Sequence, residues 1–236
     1  MKILLYCSLF LNILALGVAG FFIHRLGGWD YAKLRLQPPT EGLYHHKVGH
    51  FEKLDERPGC IIFLGDSQTE QAEWNELFGD ATMVLNRGVS GDFTQGILDR
   101  LPEILRHKPL KVFLLVGVND LIFGNKVSEI EAVYRSIVQK IRSESPDTEL
   151  YLQSVLPLNN LLRKTGASND KVLEINVRIL QIAHDYALPY LDIATPLKDA
   201  EGNLAVKFSE DGLHLNGLGY VVWKKQIEQY VKSNNQ

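Results

Sequence analysis

The chain has 236 residues, of which 45% are hydrophobic and 22% are charged, and it contains 19 glycines and 9 prolines. This composition is ordinary for a globular protein, so it excludes wholesale disorder, collagen-like repeats and a coiled-coil rod. The formal charge of -3 offers no basic footprint, and we expect no nucleic-acid partner. Two cysteines, Cys7 and Cys60, are too few for a disulfide framework or a zinc cage.

The N-terminal residues 3–23 form an apolar run without a single charged residue. A run of about 20 apolar residues is long enough to cross the hydrocarbon core of a membrane as a helix. A cleaved signal segment is the alternative, because small residues at 18–20 offer a cleavage point, although such segments usually have apolar cores of only ~7–15 residues. We therefore predict that residues 1–25 form an uncleaved transmembrane anchor, with residues 3–23 in the membrane.

The charges on the two sides of this run favour opposite orientations in the membrane. Lys2 precedes it, whereas Arg25, Lys33 and Arg35 follow it, so the positive-inside rule gives no clear orientation. From the short N-terminal flank, we expect the body of the protein to be extracytoplasmic, in the periplasm or at the cell surface.

Residues 26–50 lack clear periodicity and contain Gly-Gly and Pro-Pro pairs, which is typical of a linker. Three histidines, His45, His46 and His50, fall in this segment. A metal site there would need further ligands at matching spacing, and no cysteine or acid supplies them, so we favour solvated linker residues.

From residue 51 to residue 236, short apolar runs alternate with amphipathic stretches. This alternation predicts a single α/β domain, in which right-handed crossovers build a parallel sheet covered by helices on both faces, a three-layer α/β/α arrangement. The predicted strands are Cys60–Gly65, Thr82–Leu85, Val112–Val116, Leu150–Val155 and Tyr190–Ile193, and the predicted helices are Thr94–Arg106, Ser128–Arg142, Asp170–Tyr186 and Gly217–Val231.

Ligands of such sheets bind beyond the carboxyl ends of the strands, so the polar residues there are the candidate site. Ser67 follows the first strand in Gly-Asp-Ser-Gln-Thr, where a tight turn into a helix exposes the hydroxyl of a serine and its own N–H. Gly88 follows the second strand and allows the backbone to approach a ligand closely. Each fragment alone is equally well explained as an ordinary turn.

Two further fragments follow later in the chain. Asn119 comes after the third strand, where its amide is placed to donate a hydrogen bond to an oxyanion, or merely to cap a turn. Near the C-terminus, Asp211 precedes His214 by three residues, a spacing that lets the acid orient the imidazole as a base. A metal pair or a surface coincidence is the alternative for these two residues taken alone.

Together the four fragments supply a nucleophile, a base, an orienting acid and oxyanion donors, the parts of an acyl-transfer site. In this order they resemble the blocks of the SGNH/GDSL hydrolase superfamily over about residues 58–232. The stretches NRGVSGDFTQGILDRL and DGLHLNGLGY are most similar to the bacterial branch that resembles platelet-activating-factor acetylhydrolase subunits.

This resemblance implies a flavodoxin-like sheet of five parallel strands and serine esterase chemistry with no metal and no cofactor. It also implies Ser67 as nucleophile, His214 as base and Asp211 as its partner. Gly88 and Asn119 would join the N–H of Ser67 as oxyanion donors. Gln68 departs from the family pattern, in which an aliphatic residue is more usual, and we expect it to alter the pocket rather than the chemistry.

Three acids are predicted to support the site rather than to react. We expect Asp66 to brace the nucleophile turn, and Asp92 and Asp120 to hydrogen-bond the loops, with lining of the pocket as the alternative for the last two. Trp74 is either a core residue or part of an acyl or sugar site.

The expected function is hydrolysis of short-chain acyl esters, such as acetyl esters, of a carbohydrate or a small lipid. Residues 156–169 would overhang the site, and they contain no aromatic residue and no long apolar run, which argues against a deep tunnel for a long lipid chain. The alternatives are an acyltransferase that uses the same serine and a tethered binding module with a vestigial site. The sequence leaves the oligomeric state open.

Overall fold

The computed structural model describes residues 2–25, 39–79 and 83–232. The chain divides into two compact units, one up to His45 and one from His46 onward. In the first unit, helix α1 spans Lys2–Arg25.

Within the described part of the chain, no helix is long and apolar enough to cross a membrane. The predicted transmembrane anchor at residues 3–23 is therefore not supported by the structure. The extracytoplasmic location of the rest of the chain stays a prediction.

Part of the predicted linker is helical. Helix α2 spans Pro39–Lys53, whereas residues 26–38 of that linker lie outside the described residues. The sequence of α2 has little helical periodicity, and contacts within the second unit stabilise its C-terminal part, which belongs to that unit. Phe51 is buried beneath the guanidinium of Arg87, which lies 4.5 Å from the centre of its ring, and Arg106 donates to the carbonyl oxygens of Phe51 and Leu54. The described residues contain no metal-binding cluster that includes the histidines of this segment.

The second unit is built on one five-stranded parallel sheet. Its strand order is β2-β1-β3-β4-β5, which is the flavodoxin-like order that the resemblance implies. Each of the five strands overlaps a predicted one, with ends shifted by up to three residues, and Thr82, the predicted start of the second, lies outside the described residues. The strands are β1 (Ile61–Gly65), β2 (Val84–Gly88), β3 (Lys111–Leu115), β4 (Glu149–Gln153) and β5 (Tyr190–Leu191).

Helices cover both faces of this sheet and enclose an apolar cluster on each side, so the three-layer prediction is confirmed. Two single turns of 3-10 helix, Thr195–Leu197 and Val206–Phe208, precede the last helix. The α-helices are α3 (Ser67–Glu70), α4 (Trp74–Phe78), α5 (Thr94–Asp99), α6 (Leu101–Leu105), α7 (Val118–Ile122), α8 (Val127–Glu144), α9 (Asn169–Asp185) and α10 (Gly217–Lys232).

The predicted helix Thr94–Arg106 is broken in two at Arg100. Pro102 has no N–H to continue the hydrogen-bond ladder of α5, which favours a new helix start there. The side chain of Arg100 turns inward at the break, where its Nη2 donates to the carbonyl oxygens of Gly65 and Arg87. The Arg100 side chain, turned inward at the break, therefore links the C-terminal ends of β1 and β2.

Trp74 belongs to the core and does not line a binding site. Its side chain is buried and stacks on Phe63, with ring centres 3.9 Å apart, and it meets Trp223 edge to face at 5.0 Å. Its indole N–H donates to the carbonyl oxygen of Thr69, so Trp74 supports the short helix that begins at Ser67.

Candidate active site

Ser67 begins α3 directly after β1, on a tight turn. The Asp66 carboxylate caps this helix by accepting a hydrogen bond from the N–H of Gln68 at 2.9 Å. Position 65 requires glycine for steric reasons, because a Cβ there would lie 2.2 Å from the carbonyl oxygen of Leu115 on the neighbouring strand. The turn thus places Ser67 at the carboxyl edge of the sheet.

His214 reaches Ser67 from a loop that precedes α10. Its Nε2 lies 3.1 Å from Ser67 Oγ, although the two residues are 147 positions apart in the chain. Its Nδ1 lies 2.7 Å from Oδ2 of Asp211, whose other oxygen accepts from the N–H groups of Leu213 and His214 at 2.9 and 2.7 Å. Asp211 therefore fixes both the loop backbone and the imidazole ring.

The environment of Asp211 keeps it ionised. Partial burial alone would raise its pKa, but the hydrogen bonds from the backbone and ring of His214 and from the N–H of Leu213 hold this pKa far below its usual value. Arg163 adds an ion pair, with Nη1 3.0 Å from Asp211 Oδ2. An ionised Asp211 accepts from Nδ1–H of His214, which leaves Nε2 of a neutral ring as the acceptor that faces Ser67.

Asn119 lies in α7, just beyond β3. One N–H of its amide donates to the carbonyl oxygen of Asp92 at 2.9 Å. An amide nitrogen carries two hydrogens, so the second N–H of Asn119 is available to a ligand.

Gly88 was predicted as an oxyanion donor, and the structure corrects this. Its N–H already donates to Oδ1 of Asn86 at 2.9 Å. The absence of a side chain serves packing instead, because a Cβ on Gly88 would lie 2.1 Å from the backbone nitrogen of Glu70. Gly88 lets the end of β2 rest against α3.

The N–H groups that follow Gly88 differ in whether they already have a hydrogen-bond partner. Three of these N–H groups already have acceptors. Val89 N–H donates to the carbonyl oxygen of Gly65, and Ser90 N–H donates to Oε2 of Glu70. Asp92 N–H donates to the carbonyl oxygen of Val89. Among the described residues, the N–H of Gly91 has no partner, and Gly91 adopts a left-handed φ of 79° that suits glycine. The carbonyl oxygen of the next residue, Asp92, accepts the hydrogen bond from the Asn119 amide. Only the Gly91–Asp92 peptide unit therefore separates the Gly91 N–H from the carbonyl group that Asn119 contacts.

Gly91 was not predicted from the sequence because the same block contains two glycines, and both resemble turn residues. The two glycines differ in their backbone hydrogen bonds, because the N–H of Gly88 has an acceptor and that of Gly91 has none among the described residues.

The three supporting acids are buried and hold loops. Asp92 pairs with Arg100 at 2.8 Å, and Asp120 accepts from the backbone and hydroxyl of Thr94 at 3.0 and 2.8 Å. Burial raises the pKa of Asp92 to about 6 and that of Asp66 to about 7. These acids therefore brace the loops around the site, and none of them contacts Ser67 or His214 by a hydrogen bond in the described structure.

The raised pKa of Asp66 predicts a stability that depends on pH. The folded state holds this proton more tightly than the unfolded state, whose Asp titrates near ~3.9, so the contribution of Asp66 to stability is lost as pH rises through about 7. Asp66→Asn keeps the neutral form and an acceptor for Gln68 N–H. In urea titrations, we expect this variant to gain about 2 kcal/mol relative to the parent protein between pH 5 and pH 8.

An Asp66→Asn variant whose stability difference from the parent protein stayed constant across that range would contradict this prediction.

Gln68 joins the nucleophile helix to the histidine loop. Its side-chain Nε2 donates to the carbonyl oxygen of Leu213, the residue before His214, and its backbone carbonyl accepts from the Tyr220 hydroxyl at 2.8 Å. The side chain is buried, and it links the nucleophile helix to the loop that carries His214. The expected effect of Gln68 on the pocket stays a prediction.

Replacing Gln68 by leucine, the more usual kind of residue in the family, tests this connection. The Leu213 carbonyl would lose its partner, which costs ~1–3 kcal/mol of stability, and His214 would be held less firmly. We expect kcat to fall about tenfold with KM within twofold. The control is Gln71→Leu at an exposed position of the same turn, and a Gln68→Leu kcat equal to that of the control would refute the prediction.

The family model of the GDSL-like Lipase/Acylhydrolase family matches residues 63–222. Among curated proteins, the platelet-activating factor acetylhydrolase IB subunit alpha2 of Gallus gallus is 26% identical over 180 residues, which cover 72% of this chain and 75% of that protein. The N-acylneuraminate cytidylyltransferase of Streptococcus agalactiae is 28% identical over 212 residues, 89% of this chain. The chain spans about half the length of that relative, 47%.

A solved structure from Streptococcus pneumonia, provisionally described as a platelet activating factor, superposes with a TM-score of 0.79 at 27% identity. The match covers 86% of this chain and 99% of that one. Because the family model covers more than half of the sequence, the chain belongs to the GDSL-like lipase/acylhydrolase family.

Proposed function

We propose that this protein is a serine esterase that cleaves short-chain acyl esters, acetyl esters above all, of a carbohydrate or a small lipid. The observation that carries the proposal is the hydrogen-bonded array of Ser67, His214 and Asp211, with distances of 3.1 and 2.7 Å. A hydroxyl, an imidazole and an ionised carboxylate in this order are the parts of a nucleophile activated by a base.

The first half of the reaction forms an acyl-enzyme. Nε2 of neutral His214 takes the proton of Ser67 as Oγ attacks the ester carbonyl carbon, and Asp211 stabilises the imidazolium that results. The same Nε2–H then protonates the departing alcohol oxygen as its bond to the carbonyl carbon breaks.

The second half releases the acid. Water enters in place of the alcohol, His214 removes a proton from it, and its oxygen attacks the acyl carbon. Breakdown of this second intermediate returns the proton to Ser67 Oγ and frees the carboxylic acid, so no cofactor is consumed.

The charge that develops on the carbonyl oxygen needs donors that are already in place. We propose the N–H of Ser67, the N–H of Gly91 in place of Gly88, and the free N–H of the Asn119 side chain. Ser67 is the first residue of α3, where backbone N–H groups have no partner within the helix. The Asn119 amide donates to the carbonyl oxygen of Asp92, the residue after Gly91, which supports assigning both N–H groups to one oxyanion hole.

The preference for a small acyl group rests on two supports. The Gallus gallus relative is an acetylhydrolase, and the loop of residues 156–168 borders the site. Asn159 N–H donates to the carbonyl oxygen of Gly212, two residues before His214, so this loop lies against the histidine loop. Its Leu161 and Leu162 are exposed and offer apolar surface to a bound acyl group.

A chain-length series of nitrophenyl esters, measured beside acetylated sugars, tests the proposal. We expect kcat/KM to be highest for acetyl or butyryl esters and to fall for chains of eight or more carbons. A maximum at long chains would contradict the short-chain preference. Transfer of the acyl group to an added sugar faster than to water would show an acyltransferase, and no turnover of any ester would show a vestigial site.

Asn119→Ala tests the oxyanion donors. Loss of one donor costs ~10²–10³ in kcat, and since Asn119 is not required to bind the ester, KM should change little. The variant should fold, and stopped assays at saturating ester measure kcat. A value within threefold of the parent protein would remove Asn119 from the proposed oxyanion hole.

A further inference from the structure

We propose that Glu70 is a positioning residue that holds the Ser90–Gly91 segment in place for oxyanion binding, and that Lys47 of helix α2 holds Glu70. This inference rests on the proposed esterase function. It assigns part of the site's support to a helix that the sequence analysis treated as a linker.

Glu70 ends the helix that begins with Ser67. Its Oε2 accepts a hydrogen bond from the N–H of Ser90 at 2.6 Å, a short, charge-assisted bond. Ser90 directly precedes Gly91, whose N–H is the unpartnered donor among the described residues of this loop. The bond to Ser90 N–H therefore fixes the Val89–Ser90 peptide, which directly precedes the peptide that carries the Gly91 N–H.

The backbone of Glu70 fixes the same loop from a second direction. The side-chain amide of Asn86 donates to the carbonyl oxygen of Glu70 at 2.9 Å, and Gly88 packs directly against the Glu70 nitrogen. The start of the loop thus rests on the main chain of Glu70 and its middle on the side chain. Glu70 thus contacts both the start and the middle of the donor loop from the nucleophile helix.

Lys47 completes the arrangement from α2. Its Nζ lies 3.0 Å from Oε1 of Glu70, the oxygen that Ser90 does not use. Helix α2 is itself attached to the domain nearby, since Phe51 is buried under Arg87. Lys47 therefore restricts the carboxylate to the rotation that presents Oε2 to Ser90.

The charge state of Glu70 is consistent with this role. Partial burial alone would raise its pKa, but the hydrogen bond with Ser90 and the Lys47 ammonium lower it below the usual value. Glu70 is then an ionised acceptor throughout the neutral range, and the bond to Ser90 keeps its full strength there.

A looser Gly91 N–H would affect the transition state more than ester binding. The donor must meet the oxyanion, which forms only after Oγ has attacked, and a shift of about 1 Å can cost ~10²-fold in rate. The expected signature is a lower kcat with an unchanged KM.

Four variants of the full chain test the proposal, with kcat expressed per site titrated by a fluorophosphonate. Glu70→Leu removes the acceptor, and we expect kcat to fall ~10- to 100-fold with KM within twofold. Glu70→Gln keeps an acceptor for Ser90 but loses the ion pair, and Lys47→Met also loses it, so both should lose about fivefold. Lys47→Arg keeps the charge and should restore kcat to within twofold of the parent protein.

Salt supplies a second readout. The side chains of Lys47 and Glu70 are 40% and 23% exposed, so 1 M NaCl should screen the pair, and the parent kcat should fall toward that of Lys47→Met. The Lys47→Met kcat should not respond to salt. Lys171→Met, which breaks the exposed Lys171–Glu174 pair elsewhere, is the matched control and should keep the parent kcat.

A purely structural role would reduce the number of titratable sites while leaving kcat per site unchanged, and that result would overturn the inference. So would a parent kcat in both Lys47→Met and Glu70→Gln, two mild substitutions that keep the inference testable if Glu70→Leu fails to fold. If the parent protein itself hydrolyses no ester, the proposed function fails, which is a separate result.

Discussion

Ser67→Ala lowers kcat for a nitrophenyl acetate ester by at least ~10⁴-fold, because no other group replaces the attacking Oγ. The hydroxyl contributes its hydrogen bond to His214 and no other in the described structure, so its removal should leave the fold intact. The hydrolysis that remains should come from the oxyanion donors and from ester binding alone. Initial rates of the purified variant, together with its thermal unfolding midpoint, measure both effects.

The matched control for this substitution is Ser143→Ala on the exposed face of α8, which should keep the parent rate. Esterase activity of purified Ser67→Ala within tenfold of the parent protein would contradict the assignment of the nucleophile.

Asp211→Asn should cost about 10⁴-fold in kcat while preserving the loop, since removal of the charge gives the imidazole the wrong tautomer. Oδ1 of Asp211 accepts two backbone N–H groups, so the asparagine oxygen takes that position and its NH₂ faces His214 Nδ1. Nδ1 must then accept, the proton moves to Nε2, and Nε2 can no longer take the proton of Ser67. The NH₂ of the asparagine also faces Nη1 of Arg163, so two hydrogen-bond donors oppose each other where an ion pair stood.

Asp199→Asn is the control for this effect. Asp199 likewise accepts two backbone N–H groups, from Glu201 and Asn203, but it has no histidine partner, so its variant should keep the parent kcat. An Asp211→Asn enzyme with more than a tenth of the parent kcat would show that Asp211 does not set the tautomer of His214.

Much of the fold was predictable from local pattern. The buried runs around Phe63, Phe113 and Leu152 are apolar on both faces, which is the sequence signature of parallel strands under two helical layers. The broken helix at Arg100 was not predicted, because its apolar residues keep one stripe across the break. Only the missing N–H of Pro102 and the inward turn of Arg100 account for it.

Helix α2 shows where local pattern fails. Its own sequence has no apolar face, and residues distant in the chain hold it in place. The Arg87 guanidinium lies over the ring of Phe51, and Glu70 pairs with Lys47. Contacts between residues far apart in the chain override weak local preference, and they leave no periodic signal.

The candidate site was predictable only in part. The order of the four blocks brought Ser67, His214 and Asp211 to attention through a family resemblance, and the structure brings these three side chains within hydrogen-bond distance. The choice between Gly88 and Gly91 needed the hydrogen bonds of the whole loop. The connection from Gln68 to the histidine loop also depends on tertiary structure, since its partner is 145 residues away.

Peptide mass spectrometry after treatment with a fluorophosphonate tests the central claim, that His214 activates Ser67, most directly. We expect one phosphonylated site, on the peptide that contains Ser67, and a labelling rate that falls at least ~10³-fold in His214→Ala. A label on another serine, or a Ser67 label that forms equally fast without His214, would contradict it.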